Sequence, residues 1–162
     1  APEALSNYYL RGGKGEVGSS WMTGYDRERE IADQVYYLDK LYDHYHLADF
    51  EGKINLLGFS QGVATMTRWW CLSEKIQRVD NVIWWSGAVP DLRKENVSWP
   101  ETDTACFLVF DPVDKFLQSE NFKNGIDQFE GKRKRPAVVH FTGGHRIDST
   151  IFLQLAQRHN WL

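Results

Sequence analysis

Apolar and polar positions fall into a regular succession of blocks along the chain. Ile31, Val35, Leu38, Tyr42 and Tyr45 recur at steps of four and three, which predicts one apolar stripe on a helix ending near His46. Asp26 stands where that helix opens, and Glu28 and Glu30 fall in the acidic first turn its dipole favours. Ile54-Asn55-Leu56-Leu57-Gly58-Phe59 is short and mostly apolar, as suits a strand covered on both faces. Gly62 to Ser73 reads as a second helix. The alternation then repeats. Asn81–Trp85 is a strand, followed by a loop with Pro90 and Pro100, and Ala105–Phe110 is the next strand. A helix is expected over Phe116–Phe129, a strand over Ala137–Phe141 and a last helix over Asp148–Arg158. Residues 1–25, rich in glycine (Arg11-Gly12-Gly13-Lys14-Gly15, then Gly18-Ser19-Ser20-Trp21), predict irregular chain. Strands alternating with helices imply parallel pairing and the α/β class.

Composition narrows the partners. The 162 residues suit one domain with a real core, and no linker, repeat or low-complexity tract divides them. With 42% hydrophobic and 25% charged residues, disorder and collagen-like structure are excluded. No run approaches the roughly 18 apolar residues of a membrane span. A net charge of -3 gives no pull toward nucleic acid or anionic lipid. The basic run Lys132-Arg133-Lys134-Arg135 reads as a solvated loop before a strand. Cys71 and Cys106 lie among apolar neighbours and read as buried free thiols, too few for a disulfide framework or a four-ligand zinc site. The chain begins Ala1-Pro2, with no basic-then-apolar leader, so residues upstream are expected to be absent and the cytoplasm is the default compartment.

The sharpest chemical signal is Gly58-Phe59-Ser60-Gln61-Gly62, a G-x-S-x-G pattern between a strand and a helix. A serine on so tight a turn needs small flanking residues, and the turn lifts Oγ above the sheet edge beside the helix's first N–H groups. Such a serine needs a base, and the base an orienting acid. Of His44, His46, His140, His145 and His159, only His145 lies in a flexible loop just after the last strand. The acid should follow the preceding strand, where Asp111-Pro112-Val113-Asp114 offers two candidates. Asp111 ends the strand and would cap the turn at Pro112. Asp114, further into the loop, has more reach and is favoured.

These segments resemble the α/β-hydrolase superfamily, and within it the small carboxylesterase, phospholipase and acyl-protein thioesterase group. The likeness rests on the Ser60 pentapeptide, on Ser86-Gly87-Ala88-Val89-Pro90, on the Asp114 loop and on Gly144-His145, in the right order over nearly the whole chain. Ala1-Pro2 and the Trp21 region are also similar. The resemblance implies a serine hydrolase of ester or thioester bonds with Ser60, Asp114 and His145 as its triad and a small acyl substrate. It also implies the backbone N–H of Gln61 as one oxyanion donor, and Trp21, Phe59 and Val89 along a substrate pocket. No cofactor or metal is expected. Asp111 departs from the group, which usually carries glycine there. No His-Gly pair occurs to supply the second oxyanion donor, and the group's first strands are missing. The expectation is therefore a domain incomplete at its N-terminus, with Ile54–Phe59 left as an open edge that upstream strands or another chain, as in a homo-oligomer, would cover. The competing reading is a hydrolase-like domain that binds or assembles without catalysis.

Adjacent Trp84 and Trp85 must point to opposite faces of their strand, and core packing accounts for most of the seven tryptophans.

Overall fold

A computed structural model describes residues 1–117, 119–129 and 135–161; Lys132, Arg133 and Lys134 of the basic run lie outside these. Residues 1–25 depart from the expected irregular chain. They form a hairpin of β1 (Ser6–Tyr9) and β2 (Val17–Ser20), paired antiparallel. Gly12, Gly13 and Gly15 take positive φ in the turn, a conformation that costs glycine little. Tyr8, Tyr9, Leu10 and Val17 are all exposed, so no buried face imposes the alternation by which a strand is read from sequence.

Helix α1 spans Arg27–His44 and buries Leu38 and Tyr42, while Tyr45 has left the helix and is exposed. Asp26 does precede it, but at φ 51° its side chain makes no cap bond. The carboxylate of Glu30, one turn on, instead accepts from the hydroxyl of Thr23 at 2.8 Å and from the N–H groups of Thr23 and Gly24.

Four parallel strands follow, β3 (Asn55–Phe59), β4 (Asn81–Trp85), β5 (Ala105–Phe110) and β6 (Ala137–His140), in that spatial order. Helix α2 (Gln61–Leu72) links β3 to β4. Between β5 and β6 the expected single helix is two pieces: a 3₁₀ turn at Lys115–Leu117 and α3 (Glu120–Asp127). The break falls at Ser119, whose extended backbone and Oγ cap α3 by accepting from Phe122 N–H at 3.3 Å. Helix α4 (Ser149–Arg158) is capped by Asp148, which accepts from Thr150 and Ile151 N–H.

Strand β4 shows how the sheet divides the core. Val82 and Trp84 face α1, α2 and α3 in one cluster with Leu38, Val63, Trp70 and Phe122. Ile83 and Trp85 face the other way, packing with Phe107, Phe141, Leu155 and Trp161. Every residue of β4 is buried, as the period of two requires of a strand covered on both faces. At the edge, β3 pairs with β4 alone among the described residues, and the β1–β2 hairpin forms a separate sheet.

Candidate active site

Parallel strands deliver their carboxyl ends to one rim of the sheet, where ligand sites of open α/β sheets form. Ser60 follows β3, Asp111 and Asp114 follow β5, and His145 follows β6. The backbone of Ser60 sits at φ 52°, ψ −122°, a strained conformation for a residue with a Cβ. It is held there by bonds on both sides: its N–H donates to the Trp85 carbonyl at 3.0 Å, and its carbonyl accepts from Val63 N–H at 3.1 Å. Two glycines make room for the turn. A Cβ on Gly58 would lie 2.6 Å from Val63 Cα, and one on Gly87 would lie 2.2 Å from the Ser60 carbonyl oxygen. Gly62 differs, since among the described residues the nearest atom a Cβ there would meet outside its own helix is the indole Nε1 of Trp21, at 3.9 Å.

The structure brings Ser60, His145 and Asp114 into one chain of contacts. His145 Nε2 lies 2.8 Å from Ser60 Oγ, and His145 Nδ1 lies 2.7 Å from Asp114 Oδ2. The Asp114 side chain is 1% exposed, and its second oxygen accepts from Phe116 N–H at 2.9 Å. With Asp114 as the acceptor, the tautomer that serves both contacts carries its proton on Nδ1 and turns the Nε2 lone pair to the Ser60 hydroxyl. Phe59 and Phe116 flank the imidazole, with ring centroids 5.0 and 4.5 Å away. Asp111, the other carboxylate of that loop, does not meet the ring. Its Oδ2 accepts from Gly143 and Gly144 N–H, and Oδ1 accepts from Val113 N–H. These backbone donors, Gly143 foremost, hold its carboxyl below the ordinary range.

Gln61 opens α2, so its backbone N–H is among those an α-helix leaves without intrahelical partners. Its side chain anchors the segment after β2: Oε1 accepts from Trp21 N–H at 2.7 Å, and Nε2 donates to the Met22 carbonyl at 2.8 Å. Buried Gln34 of α1 completes the clamp by donating to the Trp21 carbonyl. Neither side chain was read from the sequence as part of the site. The one signal for Gln34 is its place on the apolar stripe, three residues after Ile31 and four before Leu38. Of the three expected pocket residues, Trp21 and Phe59 stand beside the turn and the imidazole. Val89 is buried at 2% exposure within the core, its carbonyl against Gly125 of α3.

His44 and His46 are exposed, and His140 of β6 packs on Phe110 of β5. Cys71 and Cys106 are half-buried thiols outside any disulfide, and burial pushes the Cys71 thiol up to about 12, which leaves it protonated at neutral pH. Among the described residues no group of three or more His, Cys, Asp or Glu is placed to hold a metal ion, and no helix is long and apolar enough to cross a membrane. The chain matches no protein-family model, and no curated protein matches it.

Proposed function

We propose that the chain is a cofactor-independent serine hydrolase of the α/β-hydrolase type, cleaving small carboxylic ester or thioester substrates through an acyl-enzyme on Ser60. The observation that carries this reading is the unbroken contact from Asp114 through His145 to Ser60 Oγ, on a serine held in a strained strand-to-helix turn. As Oγ attacks the acyl carbon, Nε2 takes its proton, and the buried Asp114 carboxylate steadies the imidazolium. Nε2 then gives that proton to the departing alcohol or thiol as its bond to the acyl carbon breaks. Water attacks the ester so formed, giving a proton to Nε2, and the carboxylic acid leaves as that proton returns to Ser60 Oγ. The Gln61 N–H is the donor available to the developing oxyanion, where one such bond is worth on the order of 10²–10³ in rate.

The test is paired. A fluorophosphonate should label Ser60 in the unaltered chain, and Ser60→Ala should lower p-nitrophenyl acetate turnover by several orders of magnitude with the circular dichroism unchanged. Near-normal turnover in that variant would end the proposal. One feature favours a second reading, a domain that binds without catalysis: the sequence has no His-Gly pair to provide the other oxyanion donor. Absence of labelling in the folded chain decides for that alternative, because only an activated serine reacts.

A further inference from the structure

The backbone ladder between β5 and β6 ends where Phe141 N–H donates to the Phe110 carbonyl at 3.2 Å. Beyond that point the chain runs Thr142-Gly143-Gly144-His145, and two glycines in a row carry more conformational freedom than any other pair. Left alone, such a segment would not hold an imidazole to the few tenths of an ångström that proton transfer needs.

Asp111 takes over where the ladder stops. It is the first residue after β5, it is 3% exposed, and its Oδ2 receives Gly144 N–H at 2.7 Å and Gly143 N–H at 2.8 Å. Its other oxygen receives Val113 N–H at 3.0 Å, which fixes the carboxylate's own orientation. On the far side of His145, the Arg146 carbonyl accepts from the indole of buried Trp85 at 2.9 Å. The histidine is thus pinned at the residues before and after it, from the ends of β5 and β4.

We infer that Asp111 is the positioning residue for His145: it fixes the backbone that carries the imidazole, while Asp114 fixes the ring. This rests on the proposed hydrolase reading for its catalytic consequence, but the clamp itself is a property of the fold. The chemistry explains the residue type. Three N–H groups converge on the two oxygens, so both must accept. An asparagine offers one accepting oxygen and an NH₂ that donates, and would set donor against donor on one side. Asp111→Asn therefore removes the function despite keeping the shape, whereas Asp111→Glu keeps two acceptors and recovers part of it.

The experiment compares the unaltered chain, Asp111→Asn, Asp111→Glu and Asp114→Asn. Three readouts are taken: p-nitrophenyl acetate kinetics, the downfield ring N–H resonance of His145, and hydrogen exchange of the Gly143 and Gly144 amides. Asp111→Asn should lower kcat by about 10²-fold with KM little changed, the loss expected of a misplaced reacting group. It should also broaden the His145 resonance while circular dichroism stays the same, and the Glu variant should restore part of both. A kcat within twofold of the unaltered chain, with the resonance intact, overturns the inference. Should Asp111→Asn fail to fold, the unaltered chain still decides: slow exchange at Gly143 and Gly144 supports the clamp, and exchange at the rate of free peptide refutes it. If the unaltered chain neither hydrolyses the ester nor reacts with a fluorophosphonate, the hydrolase reading fails, and the resonance and exchange data still judge the clamp separately.

Discussion

Gly58, Gly62 and Gly87 show what a single missing methyl does around Ser60. A Cβ on Gly58 or Gly87 would drive into backbone that cannot yield, whereas one on Gly62 meets only an indole nitrogen at ordinary contact distance. Overpacking of this kind costs roughly 1–3 kcal/mol. Gly58→Ala and Gly87→Ala should therefore lower the urea midpoint and distort the Ser60 turn, while Gly62→Ala should leave the midpoint unchanged or raise it slightly. A Gly87→Ala chain as stable as the unaltered one would contradict the close approach. The pentapeptide made both flanking glycines legible as a pair, but only the fold separates the crowded one from the open one. Gly87 was visible in the Ser86–Pro90 segment without its reason, because its neighbour is 27 positions away in sequence. The same limit applies to the carboxylates. Loop reach singled out Asp114, yet the partners of Asp111 lie in another loop, and a side chain bonded to distant backbone leaves no periodic trace.

Apart from the helix expected over Phe116–Phe129, which is two pieces, elements with a buried face have bounds close to those expected. Strands β4 and β5 begin and end at the expected residues, since burial on both faces writes a continuous apolar run. The β1–β2 hairpin was missed because its stability comes from backbone pairing and a glycine turn, with its large side chains in solvent. The edge of β3 was expected open, and among the described residues it is. An apolar edge strand with Lys53 as the nearest charge before it is a template for pairing with another chain. Leu57, 37% exposed at the centre of β3, is the place to test this. Sedimentation of the unaltered chain should show association that grows with concentration, and Leu57→Lys should reduce it. An unaltered chain that sediments as a monomer across a wide concentration range would count against the edge as a contact.

At the scale of the molecule, several carboxylates bind protons less readily in the folded state. Backbone donors do this for Asp111, and the guanidinium of Arg93 does it for Asp91. Burial alone would raise Glu95, but Arg68 and Arg27 together outweigh it and hold it low. A carboxylate with a lowered folded pKa stabilises the fold above its unfolded value, and that stability is lost as pH falls through the folded value. The urea midpoint should therefore be flat from neutral pH down to about 5 and fall once pH passes below the ordinary values of 4.5 and 3.8. A midpoint that rises on acidification through that window would refute the assignment. The clamp on the segment after β2 has an optical consequence. Trp69, Trp70, Trp84, Trp85 and Trp161 are buried; Trp21 and Trp99 are partly exposed, and of these two Trp99 packs on Trp70 and Trp84, whereas the indole nitrogen of Trp21 borders Gly62, two residues from Ser60. Its emission is the one most sensitive to what stands on the serine. Attaching an acyl or phosphonyl group at Ser60 should shift the long-wavelength edge of the fluorescence, and Trp21→Phe should abolish that shift, so the chain carries an unlabelled reporter of its own occupancy.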